Sequence, residues 1–552
     1  MCYLEKFFAV TYETVQQGAV MKKKTFANRM IEFSFVAQDT IKSPDEVDFS
    51  ATFTSPSGKT YKVPGFWDGR NIWKIRYASD EKGIHTFQTD CIPLVKGLAG
   101  QKGLCQVVKT KNEKNPLYRF GFPRIIDGNI VYASGRKFFW LGDTWYMGLC
   151  KRLDRKGFKI LSQDRKKKGF TVIQIVAGLY PDMEWYDPRG EGEGGFPYSK
   201  DFSKTNAAYF RDADWKIKYL VENGLVPCIF GAWGYYIKWT GVEKMKKHWR
   251  NLIARWSAYP VIWCIAGETT MPYYLSTTRQ QDTDFQKKAW TLVAQYIRNI
   301  DPFKHPVTTH SPRFGHQMLE DVDLIDINML QPGHSGPISC ELTWTTIEQA
   351  KKELPAKPVV VGEVNYEGIG ECCRQEIQRI VFWASFLSGA KGFTYGANGI
   401  WQVNTEKKPY GPSPHGRSWG DTPWRQAYKL PGSQHVAAGK RILEKFDWRN
   451  LIPCREKVEF KDEKQYLFAA EVPDKVLLIY AGPPAFCSWI ARIKGLRPES
   501  FYKLCLIDPK DGKKAKGQKI KTDREGNWSF EKPFWAWVPV WQDWLICIER
   551  IK

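Results

Sequence analysis

The sequence predicts a multidomain α/β plus all-β protein, with a central (β/α)8 TIM barrel between an N-terminal and a C-terminal β-sandwich. Three observations predict it. A chain of 552 residues is too long for one hydrophobic core, since domains hold about 100–200 residues each. The texture changes twice, from short alternating runs to long strand-and-helix alternation and back. Within the middle block, eight apolar strand-like runs follow one another with amphipathic stretches between them, the signature of a closed parallel barrel.

The first block, residues 1–120, alternates from Ile31 to Val108 in short β-rich runs. Ser55-Pro56-Ser57-Gly58 and Asp68-Gly69 are turn signals between them, and the pattern reads as a small β-sandwich. The second block, 121–453, holds the runs 138–145, 171–178, 225–234, 261–268, 306–310, 324–331, 358–366 and 392–401. Segments such as Asp212 to Gly224, with a glycine stop, fit the intervening helices. The third block, 454–552, returns to alternation in "YLFAAEV", "KVLLIYAG" and "WLICIERI", a second β-domain.

Chemistry enters at the ends of strands four and seven. "VIWCIAGE" and "PVVVGE" each run from apolar residues into a glutamate, Glu268 and Glu363. A charge at the end of a buried strand is costly unless something uses it. One strand-end glutamate reads equally well as half of a structural salt bridge. Two at these positions, preceded by Gly267 and Gly362 and followed by Tyr273 and Tyr366, read as a pair across the barrel mouth: a protonated acid and an ionised nucleophile for glycoside hydrolysis. Other rim residues fit sugar recognition, in which hydroxyls need polar partners and ring faces pack on aromatics. Asp143, His310, Gln331, His334 and Asn398 are the polar candidates; Trp145, Trp233, Tyr366, Tyr395 and Trp401 the aromatic ones. The glycine-rich "GEGEGG" stretch (190–195) reads as a substrate-facing loop or lid after strand two.

Rival chemistries lack their motifs: there is no HExxH, GxSxG or GxxxxGK[ST], and no metal or organic cofactor is implied. The formal charge of +23 favours a polyanionic partner such as an acidic polysaccharide. Its basic runs, among them "RKKKG" (165–169), are short and read as solvated faces, not as a nucleic-acid site. Cys150, Cys228 and Cys264 lie in apolar runs as free thiols, and no CxxC pair exists. The first residues lack the apolar core and cleavage site of a signal peptide, and no run reaches the roughly 18 apolar residues of a membrane span. As written the chain reads as cytoplasmic, and as secreted or periplasmic if translation starts elsewhere, for instance at Met21. The architecture is compatible with a monomer or with assembly through either sandwich.

The stretches "KFFWLGDTWYMGLCKRL", "KKKGFTVIQIV", "KPVVVGEVNYEG", "GFTYGANGIWQ" and "WRQAYKLPGSQHV" resemble the apiosidase-like glycoside hydrolases, glycoside hydrolase family 140 and its relatives. The resemblance extends to the β-domains, around "FTSPSGKTYKVPGFWDG" and "YKLCLIDPKDGKK". It implies a retaining hydrolase with its nucleophile at Glu363 and its acid/base after strand four. There the chain departs from the family pattern, with Ala266-Gly267-Glu268 in place of Gly-Gly-Asp, and Gly267 where many related barrels carry asparagine. A side chain one methylene longer moves the acid by about 1 Å, which bears on the sugar, apiose, more than on hydrolysis. The expected function is a retaining, exo-acting hydrolase of a plant, algal or microbial polysaccharide, acidic ones included. The alternatives are an endo-acting glucanase or mannanase and a catalytically silent glycan-binding protein.

Overall fold

A computed structural model describes residues 21–110, 112–334, 337–460, 466–482 and 490–551. The signal-peptide question falls on residues outside these. Eight parallel strands close into a barrel: β1 (Trp140–Thr144), β2 (Val172–Val176), β3 (Val226–Phe230), β4 (Ile262–Cys264), β5 (Val307–Thr309), β6 (Ile327–Leu330), β7 (Val359–Val361) and β8 (Gly392–Tyr395). β1 pairs with both β2 and β8, which completes the circle. The strands are buried on both faces, against the barrel interior on one side and the helices on the other, which is why they read as unbroken apolar runs.

The helix Arg155–Lys168 shows how local sequence sets the crossovers. The Asp154 carboxylate accepts the Gly157 N–H at 2.7 Å, four basic residues occupy the last turn, and Gly169 ends the helix at φ 88°. Arg165, expected to be solvated with the rest of its run, is instead fully buried against β1. The helix anticipated over 212–224 begins earlier, spanning Ala207–Glu222, and stops before Gly224 as expected.

The N-terminal region is a five-stranded sheet facing a three-stranded one, with Phe33, Phe35, Phe49, Phe53, Trp73 and Phe87 between them. It is tied to the barrel by buried Arg76, which reaches Asp214 at 2.8 Å and the Arg255 carbonyl at 2.7 Å. The C-terminal region has a six-stranded and a three-stranded sheet. Along its strand Val476–Ala481, Leu477 and Ile479 enter the core between the two sheets, while Leu478 and Tyr480 face the barrel, where Trp383 stacks on Tyr480 at 6.1 Å. Arg379 and Asp543 lock the two regions with a paired 2.6 and 2.7 Å contact.

The cysteines among the described residues are free thiols; Cys150, Cys228 and Cys264 are fully buried. No helix among the described residues is long and apolar enough to cross a membrane.

Candidate active site

Glu268 and Glu363 meet in one pocket at the C-terminal ends of the barrel strands, a cavity of about 190 Å³. The Gln331 side chain beyond β6 joins them, its Nε2 lying 3.1 Å from Glu268 Oε1 and 3.3 Å from Glu363 Oε1. With one nitrogen this close to both, those two oxygens are nearer to each other than ~6.5 Å, the distance at which pairs that leave room for a water begin.

The two carboxylates have different neighbours. Glu363 is almost fully buried. Its Oε2 accepts the Tyr146 hydroxyl at 2.6 Å and faces His310 Nε2 at 3.2 Å, while Oε1 lies 2.5 Å from His334 Nε2. His310 Nδ1 accepts the Glu268 backbone N–H at 3.3 Å, which leaves its ring proton on Nε2, aimed at Glu363. Burial alone would raise the Glu363 pKa, but the two histidines outweigh it and hold the carboxyl well below the usual range. Glu268 is shifted the other way, first by burial and then by the negative charge of Glu363; the hydrogen bonds from Gln331 and from Trp233 Nε1 (3.1 Å) offset this only in part. The site thus sets a carboxyl whose pKa is lowered beside one whose pKa is raised.

Backbone geometry reinforces this asymmetry. Glu268 adopts φ 40°, an uncommon conformation for a residue with a side chain. Gly267 before it pairs with Trp233 as an extension of the β3–β4 ladder, and a β-carbon there would come within 2.2 Å of the Trp233 ring. The indole therefore takes the space of any larger residue at 267, including asparagine, and supplies its own N–H to Glu268.

Of the expected sugar-binding residues, Trp233, His334, Tyr366 and Trp401 line the pocket. Gln331 and His310 stand behind it and contact the carboxylates; His310 is fully buried, so it orients Glu363 and does not hold a sugar hydroxyl. Asp143, Trp145 and Tyr395 are corrections. All three are fully buried on the outer side of the barrel. Asp143 Oδ2 is bound by Arg165 Nε and Trp145 Nε1, both at 2.6 Å; Trp145 packs edge-on against Phe158; Tyr395 donates to Glu367 at 2.5 Å. Side chains alternate along a strand, and at the end of β1 and just beyond it the inward positions are Thr144 and Tyr146. Asn398 is also fully buried and lies outside the pocket lining. The "GEGEGG" stretch is no lid: Gly194 and Phe196 accept hydrogen bonds from Asn206 Nδ2 at 2.7 and 2.8 Å, which presses the loop onto the start of the helix Ala207–Glu222.

Further lining residues escaped the sequence reading: Tyr146, Pro181, Asp182, Met271, Tyr274, Ile369, His415 and Trp419. Tyr146 and Tyr274 sit one residue beyond the Trp145 and Tyr273 singled out from sequence. His415 and Trp419 come from the long segment after β8, which has no periodicity to mark it.

A family model described as "Apiosidase-like, catalytic domain" matches residues 127–450, more than half of the chain, and a domain of unknown function, DUF5060, matches residues 24–91. Among solved structures, a putative glycoside hydrolase from Bacteroides vulgatus ATCC 8482 is 17% identical with a TM-score of 0.67, covering 96% of this chain and 100% of its own. A glycoside hydrolase family 5 structure from the same organism is 19% identical with a TM-score of 0.62, over 78% of this chain and 94% of its own. At such identities these two share the fold. No curated protein matches the sequence significantly. By its barrel sequence, then, this chain belongs to the apiosidase-like family and is a glycoside hydrolase.

Proposed function

We propose that the protein is a retaining, exo-acting glycosidase in which Glu363 is the nucleophile and Glu268 the acid/base. The observation that carries the reading is two carboxyls bridged by one amide, Gln331, with a phenol and two imidazoles on Glu363 and an indole N–H on Glu268, surroundings that lower the first pKa and leave the second raised. Glu268 protonates the glycosidic oxygen while the ionised Glu363 attacks the anomeric carbon; Glu268, now a carboxylate, then takes a proton from the water that releases the sugar. The closeness of the bonded oxygens supports direct attack, because an inverting pair needs space for water. Trp233 and Gln331 hold the acid; Tyr146, His310 and His334 orient the nucleophile and keep it charged.

A cavity of about 190 Å³ is below the ~300 Å³ at which sites for drug-sized ligands begin, and supports an end-on mode taking one terminal sugar. The substrate is a plant, algal or microbial polysaccharide, attracted by the +23 surface where it is acidic.

The test is sugar release from a panel of pectic, arabinan and algal glycans, with proton NMR following the first anomer formed. Single sugars of retained configuration, abolished by both Glu363→Gln and Glu268→Gln, are expected. An inverted first anomer overturns the nucleophile assignment, oligosaccharide ladders overturn the exo mode, and activity that survives Glu363→Gln overturns the pair.

A further inference from the structure

A third carboxylate faces the same pocket and has no part in the chemistry above. Asp182, on the segment after β2, is 1% exposed, and neither of its carboxylate oxygens completes a hydrogen bond. Its surroundings do not compensate for this. The Arg189 guanidinium reaches only its backbone oxygen, at 3.2 Å, and is otherwise engaged with Asp187 and the carbonyls of Tyr410 and Pro412. The indole N–H of Trp419 and the hydroxyl of Ser413 face the carboxylate, but the Trp419 N–H is itself left without a partner. Burial, with a contribution from the charge of Glu268, pushes the Asp182 carboxyl up to about 7.

The segment that carries it is held firmly. Tyr235 Oη donates to the Tyr180 and Met183 carbonyls at 3.1 and 2.7 Å, on either side of Asp182, and Asp182 itself sits at φ 62°. An acceptor pair that no protein group bonds, buried in an aromatic pocket and fixed there by its own backbone, is costly to leave unanswered. A ligand that donates two hydrogen bonds recovers that cost on binding.

We propose that Asp182 is a specificity-determining residue of the terminal-sugar pocket: its carboxylate takes two neighbouring hydroxyls of an uncharged sugar and rejects a sugar bearing a carboxylate. The inference rests on the glycosidase reading above and deepens it. Two vicinal hydroxyls match the two free oxygens, and the adjacent Trp419 N–H supplies a donor to a sugar oxygen. Rejection follows from charge once Asp182 is ionised: its carboxylate and that of Glu363 line one cavity whose described lining includes no lysine or arginine, and His334 is already engaged with Glu363, so a uronate seated on Asp182 would face like charge. The polymer is then acidic, if at all, along its backbone, and the residue removed is a neutral one at its tip.

Trp233, Trp401 and Trp419 line the cavity, so intrinsic fluorescence reports occupancy without requiring turnover. The wild type is titrated with neutral monosaccharides (apiose, arabinose, galactose, glucose, mannose, rhamnose, fucose) and with galacturonate and glucuronate. At least one neutral sugar is expected to bind, and both uronates to bind about tenfold more weakly or less, the scale of one lost charged hydrogen bond. Asp182→Ala should weaken the neutral sugar by about tenfold or more. Asp182→Asn, isosteric and with one acceptor oxygen, should recover part of this and admit the uronates; unfolding midpoints show whether each variant is folded. Failure of every neutral sugar to bind, a uronate bound as tightly as the best neutral sugar, or unchanged affinity in folded Asp182→Ala overturns the proposal. A wild type that binds neutral sugars through Asp182 yet cleaves no glycan defeats the hydrolase roles alone; one that cleaves but ignores Asp182 defeats this inference alone.

Discussion

Glu363 and Asp143 are both buried acids beyond or at the end of barrel strands, 4% and 0% exposed, yet they sit in different chemistry. Asp143 points outward and is held by Arg165, whose charge is permanent, with an indole N–H on the same oxygen. Glu363 points into the mouth and is held by a phenol and two imidazoles, groups that can let it react. A fixed counter-charge makes a brace, whereas a set of adjustable donors suits the nucleophile proposed for Glu363. Burial alone does not distinguish them; the partner does.

The largest separation of the two should come from removing each charge. Glu363→Gln is expected to lower kcat by about 10⁴-fold or more with an unfolding midpoint near that of the wild type. Asp143→Asn should do the reverse, since it leaves Arg165 buried with its charge answered only by Asp164: a loss of about 3 kcal/mol in urea unfolding, with kcat per folded molecule unchanged. If Asp143→Asn instead lowers kcat a hundredfold at wild-type stability, the contrast between brace and nucleophile fails.

The next effect tests the donors around Glu363. Tyr146→Phe removes a 2.6 Å hydrogen bond to a charged oxygen, about 1.5–3 kcal/mol, and should cost roughly tenfold or more in kcat with little change in KM. An equal rise in KM would place Tyr146 on the substrate. The smallest expected effect is on the pH profile. With Glu268 in the proposed acid role and its pKa raised, activity should persist above the ordinary glutamate range and fall as pH climbs through the Glu268 value. With Glu363 in the proposed nucleophile role and its pKa lowered, the acid limb should lie far below neutrality. Gln331→Ala removes a donor that favours the charged form of Glu268 and should move the basic limb to higher pH; movement to lower pH would contradict the assignment.

The barrel, its flanking β-rich regions and the two glutamates were legible because each leaves a contiguous mark: eight apolar runs, alternating hairpins, a carboxylate closing a strand. What was not legible is parity. A strand buried on both faces has no polar side to announce which residues point inward. "GDTWY" therefore offered Asp143 and Trp145 where the pocket and Glu363 use Tyr146; "TTMPYY" lies in the loop beyond β4, where no periodicity separates Tyr273 from the Tyr274 that lines the pocket. Asp182 escaped for a different reason: its importance lies in bonds it does not make, and those exist only once the loops after β2 and β8 are brought together.

The contact between Gly267 and Trp233 ties the two positions together. Gly267→Asn collides with the indole ring, and truncating Trp233 alone strips Glu268 of a donor while leaving nothing at 267 to replace it. Each single step passes through a damaged intermediate, so the two positions are expected to change together or not at all.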